Sequence, residues 1–292
     1  MIGLFLSYLR LERNRSELTV LRYERSLRDF ENYFKRKDEN LTWSTVDADI
    51  IREWVETRVD AGSKATTVCA DLAAVRSFFR FALARKLVQL DPAHCITGPR
   101  RQKPLPQFVK EREMNSLLDD ESWGKDYKNV RARTILIMLY EAGLRRSELT
   151  ALDDKDVDFT TRQIRVTGKR RKQRVIPFGD EMEEALRTYM AVREEKFGNT
   201  GEALFLDNKG RRMTGGQVYT EVKKHLTGAT NLSKRSPHVL RHSFATAMLN
   251  HGAGLENVRQ LLGHESVKTT EIYTHATFEQ MKRVYKDAHP RG

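Results

Sequence analysis

A Pro-rich, basic interruption at 91–107, "DPAHCITGPRRQKPLPQ", constrains this chain more than any other feature. Pro92, Pro99, Pro104 and Pro106 break the helical periodicity that precedes them, and Arg100, Arg101 and Lys103 make the stretch positive. A charged, proline-rich segment between two periodic regions reads as an interdomain linker. The 292 residues then divide into a domain at 1–90, the linker, and a second domain at 108–292, a length that suits two modest cores.

The region before the break predicts only helices. "ELTVLRYERSLRDFENYFKR" sets Leu18, Leu21, Leu27, Phe30 and Phe34 at helical spacings, and "DADIIREWVETRVDAG" ends on Gly62. "KATTVCADLAAVRSFFRFALARK" repeats the pattern with Val68, Leu72, Val75, Phe79 and Leu83. Four such helices bury a small core and leave Lys and Arg outside. The region after the break mixes types. "NVRARTILIMLYEAG" predicts a buried helix closed by Gly143, and "RQIRVTG" and "RVIPF" predict a hairpin around the turn "KRRKQ". Helices follow from Asp180, Thr214, Ser236 and Leu255, with a last one over "FEQMKRVYKDAH". The expected fold class is mainly α with a small antiparallel β-sheet.

Composition narrows the function. A hydrophobic fraction of 39% with 32% charged residues describes a globular chain, and no window holds the apolar run of a membrane span. The start, "MIGLFLSYLRLERNR", lacks a basic leader and a small-residue cleavage site, so no signal peptide is expected. Cys69 and Cys95 give neither a disulfide framework nor a metal knuckle, which suits a cytoplasmic protein. The formal charge of +12 favours polyanionic partners, because neutralised phosphates release counterions.

Four pieces could carry chemistry. In "SPHVLRHSFATAMLNHG", Ser236 suits an N-cap and Pro237 the first helical position, where exposed N–H groups and the dipole favour an anion. His238 and Arg241 share one face three residues apart, above an apolar stripe of Leu240, Phe244, Ala247 and Met248. His242 lies at a zinc-like spacing from His238, but Val239 stands where a glutamate is wanted and no third ligand follows, so no metal is expected. In "YEAGLRRSEL", Arg145 emerges after the Gly143 reversal. It is either paired with Glu148 or Asp153 or held as a fork for phosphate oxygens. The hairpin tip "GKRRKQR" is either a solvated turn or a β-ribbon reaching a DNA groove. In "LLGHESVKTTEIYTH", His264 follows a helix end and Tyr273 lies nine residues on; each taken alone is a cap residue or packing material.

Taken in this order, "GLRRSEL", "VTGK…RVIPFG", "SPHVLRHSFATAMLNHG" and "LLGHESVKTTEIYTH" resemble the tyrosine site-specific recombinases, the phage-integrase family, and most closely the bacterial Xer recombinases. "KATT…LAAVRSFFRF" and "DPA" are similar to the family's N-terminal domain, so the resemblance runs from about Leu4 to Pro290. It implies a helical SAM-like core-binding domain followed by an α/β tyrosine-recombinase catalytic domain. It also implies a catalytic set of Arg145, Lys169, His238, Arg241, His264 and the nucleophile Tyr273, with Glu148 orienting its neighbours; Lys172 shares the basic turn with Lys169. Arg170, Arg171, Lys172, Arg174, Arg100, Arg101 and Lys103 are expected to contact DNA. Glu265 and Ser266 depart from the commoner residues after the histidine.

The implied activity is cleavage and religation of duplex DNA at a specific recombination site through a 3′-phosphotyrosyl link. Neither cofactor nor metal is expected, because the chain shows no P-loop and no cluster of carboxylates. The implied assembly is a homo- or hetero-tetramer on two sites, with a paralogous recombinase and an FtsK-like DNA translocase as further implied partners and no membrane partner. The last helix, about 277–289, would dock on a neighbouring protomer through Phe278, Met281, Val284 and Tyr285, or fold onto its own domain. Resolution of chromosome dimers is the expected role. Integration or excision of a mobile element, a type IB-like topoisomerase and a catalytically silent DNA-binding protein are the alternatives.

Overall fold

In the computed structural model, residues 1–101, 107–119, 121, 123–168, 172–198, 201–263 and 283–291 are described. The chain separates into two compact units, Met1–Pro104 and Leu105–Gly292.

The first unit is built from α1 (Ile2–Leu11), α2 (Glu17–Lys37), α3 (Ala48–Asp60) and α4 (Ala65–Ala84). Ser16 caps α2 by accepting from the Thr19 N–H, and Asp47 caps α3 by accepting from the Ile50 N–H. Leu27, Phe30 and Phe34 of α2 are buried with Trp54 of α3 and Val68, Leu72, Val75, Phe78 and Phe79 of α4. Leu18 and Leu21 are exposed, contrary to the expected stripe. Leu18 lies nine residues from Leu27, which at 3.6 residues per turn puts it on the opposite face, and Val20 takes the inward place. Asp71 on α4 ties the bundle together, accepting from Ser26 and Arg58 at 2.8 Å each. The Pro-rich stretch starts as part of this unit. Ala93 and Ile96 lie in its core, and the Cys69 thiol meets the Pro99 carbonyl at 3.3 Å. The chain therefore leaves the first unit later than the loss of periodicity at 91 suggests.

The second unit centres on α6 (Tyr127–Glu141), whose residues 134–141 are all buried. Around it pack α8 (Asp180–Phe197), α9 (Gly215–Ala229) and α10 (Pro237–Asn250). The unit also holds α5 (Glu111–Leu118), α7 (Arg146–Ala151) and α11 (Leu255–Leu262). The expected hairpin forms as β2 (Gln163–Thr167) and β3 (Gln173–Pro177), antiparallel, with Ile164 opposite Ile176 and Val166 opposite Arg174. The Gly168 N–H donates to the Lys172 carbonyl at 2.7 Å and closes the base of the tip. A short β1 (Val157–Asp158) adds a third strand in the order β1-β2-β3.

Residues 283–288 are helical. Tyr285 and Ala288 are buried against Phe244, Met248, Leu261 and Leu262, with Val284 packed alongside. This part of the expected terminal stripe therefore lies on its own unit; Phe278 and Met281 are outside the described residues. Among the described residues no helix is long and apolar enough to cross a membrane.

Candidate active site

The site begins where α6 stops. Gly143 takes φ +57°, a left-handed conformation that reverses the chain. A Cβ there would stand 2.6 Å from the Phe244 ring and 2.9 Å from Leu262, so both conformation and space demand glycine. Two residues on, Arg145 occupies the N-cap position of α7. Its backbone N–H donates to Glu148 Oε2 at 2.8 Å, and its Nη1 donates to Glu148 Oε1 at 2.6 Å. Of the two carboxylates suggested by sequence, Glu148 is therefore the partner, and Asp153 pairs instead with Arg212 and Lys155. The Arg145 side chain keeps 34% exposure, so it is anchored and still reachable.

Arg241 comes from the first turns of α10 and is buried. It donates to the Gly143 carbonyl and the Leu262 carbonyl, and its Nη1 lies 3.9 Å from Glu148 Oε2. Pro237 stands at the first helical position as expected, and Ser236 at the N-cap position makes no side-chain capping bond. His238 is exposed on the same opening turn. His242 is half-buried with its ring 6.4 Å from that of Phe108. Among the described residues no group of three His, Cys, Asp or Glu is placed to hold a metal ion.

Arg174 departs from its expected place among the DNA contacts. It is buried, and its Nη1 and Nη2 donate to the two Glu148 oxygens at 2.8 and 2.9 Å. Its Nε donates to the Leu261 carbonyl at 2.9 Å. Strand alternation carries the reason: Arg174 lies two residues before buried Ile176 and opposite buried Val166, on the inward face. That period-of-two signal is present in the sequence, but the run of basic residues before it points the reading toward solvent.

The end of α11 completes the cluster. A helix leaves its last carbonyls without intrahelical donors, and its C-terminal end is partially negative. Here three successive carbonyls are each met by a different arginine: Leu261 by Arg174, Leu262 by Arg241 and Gly263 by Arg145, the last at 3.2 Å. Gly263 itself is left-handed at φ +62°. His264 is the next residue in sequence.

The electrostatics are those of one carboxylate among three guanidiniums. Burial pushes the Glu148 carboxyl up, but hydrogen bonds and charge from Arg174 and the Arg145 donors outweigh it and hold it at about 2. Burial, with the neighbouring charges of Arg145 and Arg174, pulls Arg241 down to about 9 against the opposing pull of Glu148, so it remains protonated at neutral pH. Such a cluster carries an excess of about two positive charges, and an anion placed against it relieves their repulsion.

The structure thus brings together Arg145, Glu148 and Arg241 from the expected set and adds Arg174 to them. Arg100, Arg101 and Lys172 are exposed. Lys103, Lys169, Arg170, Arg171, His264 and Tyr273 lie outside the described residues.

Comparison with known proteins gives these positions a context. Residues 107–280 match the model of the phage integrase family, and residues 2–86 match the phage integrase N-terminal SAM-like domain. Tyrosine recombinase XerC of Chlorobaculum tepidum is 36% identical, covering 100% of this chain and 94% of its own. Tyrosine recombinase XerD of Oceanobacillus iheyensis is 33% identical, covering 99% of this chain and 97% of its own. In fold, the chain resembles a XerH site-specific recombinase bound to palindromic difH substrate in a post-cleavage complex. The TM-score is 0.71 at 23% identity, over 93% of this chain and 80% of that one. The chain belongs to the phage integrase family as a tyrosine recombinase close to Xer, a group whose general reaction is DNA cleavage and rejoining by a tyrosine nucleophile.

Proposed function

We propose that this protein recombines duplex DNA at a specific site, with Tyr273 as the nucleophile and Arg145, Arg241 and His264 holding the scissile phosphate. The observation that carries this reading is the buried cluster in which Glu148 fixes Arg145 beside Arg241. A free phenol has a pKa of about 10, so Tyr273 must lose its proton during attack. Its oxygen bonds to phosphorus while the bond to the 5′ oxygen breaks; His238 takes the phenolic proton, and Lys169 gives one to the leaving oxygen. The products are a 3′-phosphotyrosyl link and a free 5′ hydroxyl, and the reverse displacement rejoins a strand. Negative charge gathers on the nonbridging oxygens in the transition state, where each preplaced donor contributes roughly 2.7–4 kcal/mol. One phosphoester replaces another, so the bond energy is retained for religation.

The exposed Lys172, Arg100 and Arg101, together with Lys103, Lys169, Arg170 and Arg171 in sequence, supply charge for backbone contacts that set register on the duplex. The substrate-bound state of XerH supports a specific DNA site as partner. The end-to-end similarity to XerC and XerD supports resolution of chromosome dimers in the cytoplasm by a tetramer on two sites.

A nicked suicide substrate carrying a target selected from random DNA tests the chemistry. The wild-type protein is expected to leave a covalent protein–DNA adduct on denaturing gels, and Tyr273→Phe to bind the same DNA without one. An adduct in that variant would move the nucleophile elsewhere.

A further inference from the structure

Arg174 has all three guanidinium nitrogens engaged inside the protein, two by Glu148 and one by Leu261. With every guanidinium nitrogen taken by Glu148 or Leu261, it is poorly placed to meet DNA. We propose that Arg174 is a positioning residue for strand cleavage: through Glu148 and the end of α11 it sets Arg145 and Arg241 without touching DNA. The inference rests on the transesterification reading above and deepens it.

Three observations meet at this residue. The first is the shared carboxylate. Glu148 Oε1 accepts from Arg145 Nη1 and Arg174 Nη1, and Oε2 accepts from the Arg145 N–H and Arg174 Nη2. A two-pronged guanidinium contact fixes the plane of a carboxylate as well as its position, which a single donor does not. Arg145 therefore rests on an oxygen whose direction Arg174 sets, and Arg241 lies 3.9 Å from the other oxygen.

The second is the helix end. Arg174 caps the Leu261 carbonyl, one residue before the carbonyl taken by Arg241 and two before that taken by Arg145. It also backs Gly263 closely, since a Cβ there would stand 3.1 Å from Arg174 Cδ. The third is the hairpin. Arg174 stands on β3, five residues after Lys169 in sequence, and pins that strand to α7 and α11. The strand β3, the helix start carrying Arg145 and the end of α11 thus share one anchor.

Charge gives the arrangement a measurable signature. The charged groups facing Glu148 among the described residues are Arg145 at the start of α7, Arg174 on β3 and Arg241 on α10. Without Arg174, burial regains weight, and the Glu148 carboxyl takes up a proton at a higher pH. A neutral Glu148 no longer offsets the repulsion between Arg145 and Arg241.

The test measures adduct formation on the nicked substrate at saturating DNA from pH 5 to 9, alongside DNA affinity. Arg174→Gln is expected to bind within a few-fold of wild type and to form adduct about 100-fold more slowly near neutral pH, the scale of one misplaced donor. Its rate should also fall on the acid side at a higher pH than that of wild type. Arg174→Lys, which keeps the charge but not the fork, should give an intermediate rate without that displacement. The double variant with Glu148→Gln should fall only a few-fold below Glu148→Gln alone, because the two residues act through one contact. A wild-type rate and profile in Arg174→Gln overturns the proposal, as does a loss of affinity with an unchanged rate at saturation. If Arg174→Gln does not fold, Arg174→Lys decides, and a wild-type rate there overturns the proposal. Absence of adduct from the wild-type protein itself is a failure of the transesterification reading, and the two failures are distinct.

Discussion

Glu148 illustrates how single residues are set in this protein. Its carboxyl lies at about 2 despite burial, because Arg174 and Arg145 stabilise the ionised form. A carboxyl depressed on folding contributes stability that is present above its unfolded value and lost as pH falls toward its folded value. The window here runs from about pH 4.5 down to about 2. Glu148→Gln should therefore unfold about 3 kcal/mol more easily than wild type near neutral pH, by the linkage of pKa to stability, and the gap should narrow toward pH 3. Urea titrations at both pH values read it directly. Residue types at Arg145, Glu148 and Arg241 were legible from motif spacing, since each sits near a helix start or chain reversal with its own signature. The inward face of Arg174 is legible in the strand alternation, but its role is not, because the helix end it caps lies 87 residues away.

Among the elements, the two left-handed glycines that end α6 and α11 do related work with different tolerances. At Gly143 a methyl group meets the Phe244 ring and Leu262 inside 3 Å, whereas at Gly263 it meets the Arg174 side chain at 3.1–3.3 Å. Both positions carry a left-handed penalty of about 1–2 kcal/mol for a residue with a Cβ, and overpacking adds about 1–3 kcal/mol at Gly143. Gly143→Ala should therefore lower the melting temperature more than Gly263→Ala. The terminal segment offers a second test. Arg291 pairs with Glu181 and Asp119, donates to Asn115 at 3.1 Å and lies 3.8 Å from the fully buried Glu141. Burial and the charge of Glu181 hold the Glu141 carboxyl well above its ordinary range, against the pull of Arg291. Arg291→Ala should cost about 1–3 kcal/mol through the groups it strands, seen as a lower denaturation midpoint. The long helices and the hairpin were readable because each repeats its period several times. β1 spans two residues, too few to repeat a pattern. The outward turn of Leu18 and Leu21 is not legible from apolar spacing alone, because packing decides which face of α2 meets the core.

For the whole molecule, each unit has its own apolar core, one around Phe30, Trp54 and Phe78, the other around Ile137, Leu139 and Tyr189. The fragment 1–104 should therefore unfold cooperatively by itself, reported by Trp43 and Trp54, which are buried in its core. Gradual, non-cooperative loss of their fluorescence would mean that the first core depends on the second. Ala93 and Ile96 reach the first core from within the Pro-rich stretch as isolated inward contacts, with no periodicity to announce them.

Three guanidiniums close one helix end, and this bears on how mutational surveys of the protein should be scored. Substitutions at Arg145, Arg174 and Arg241 are all expected to depress recombinant yield, although on the proposed reading Arg145 and Arg241 face the nucleic acid and Arg174 only Glu148 and the main chain. Soluble expression and covalent trapping, measured side by side for each variant, will sort the trio where yield alone ranks its members as equals.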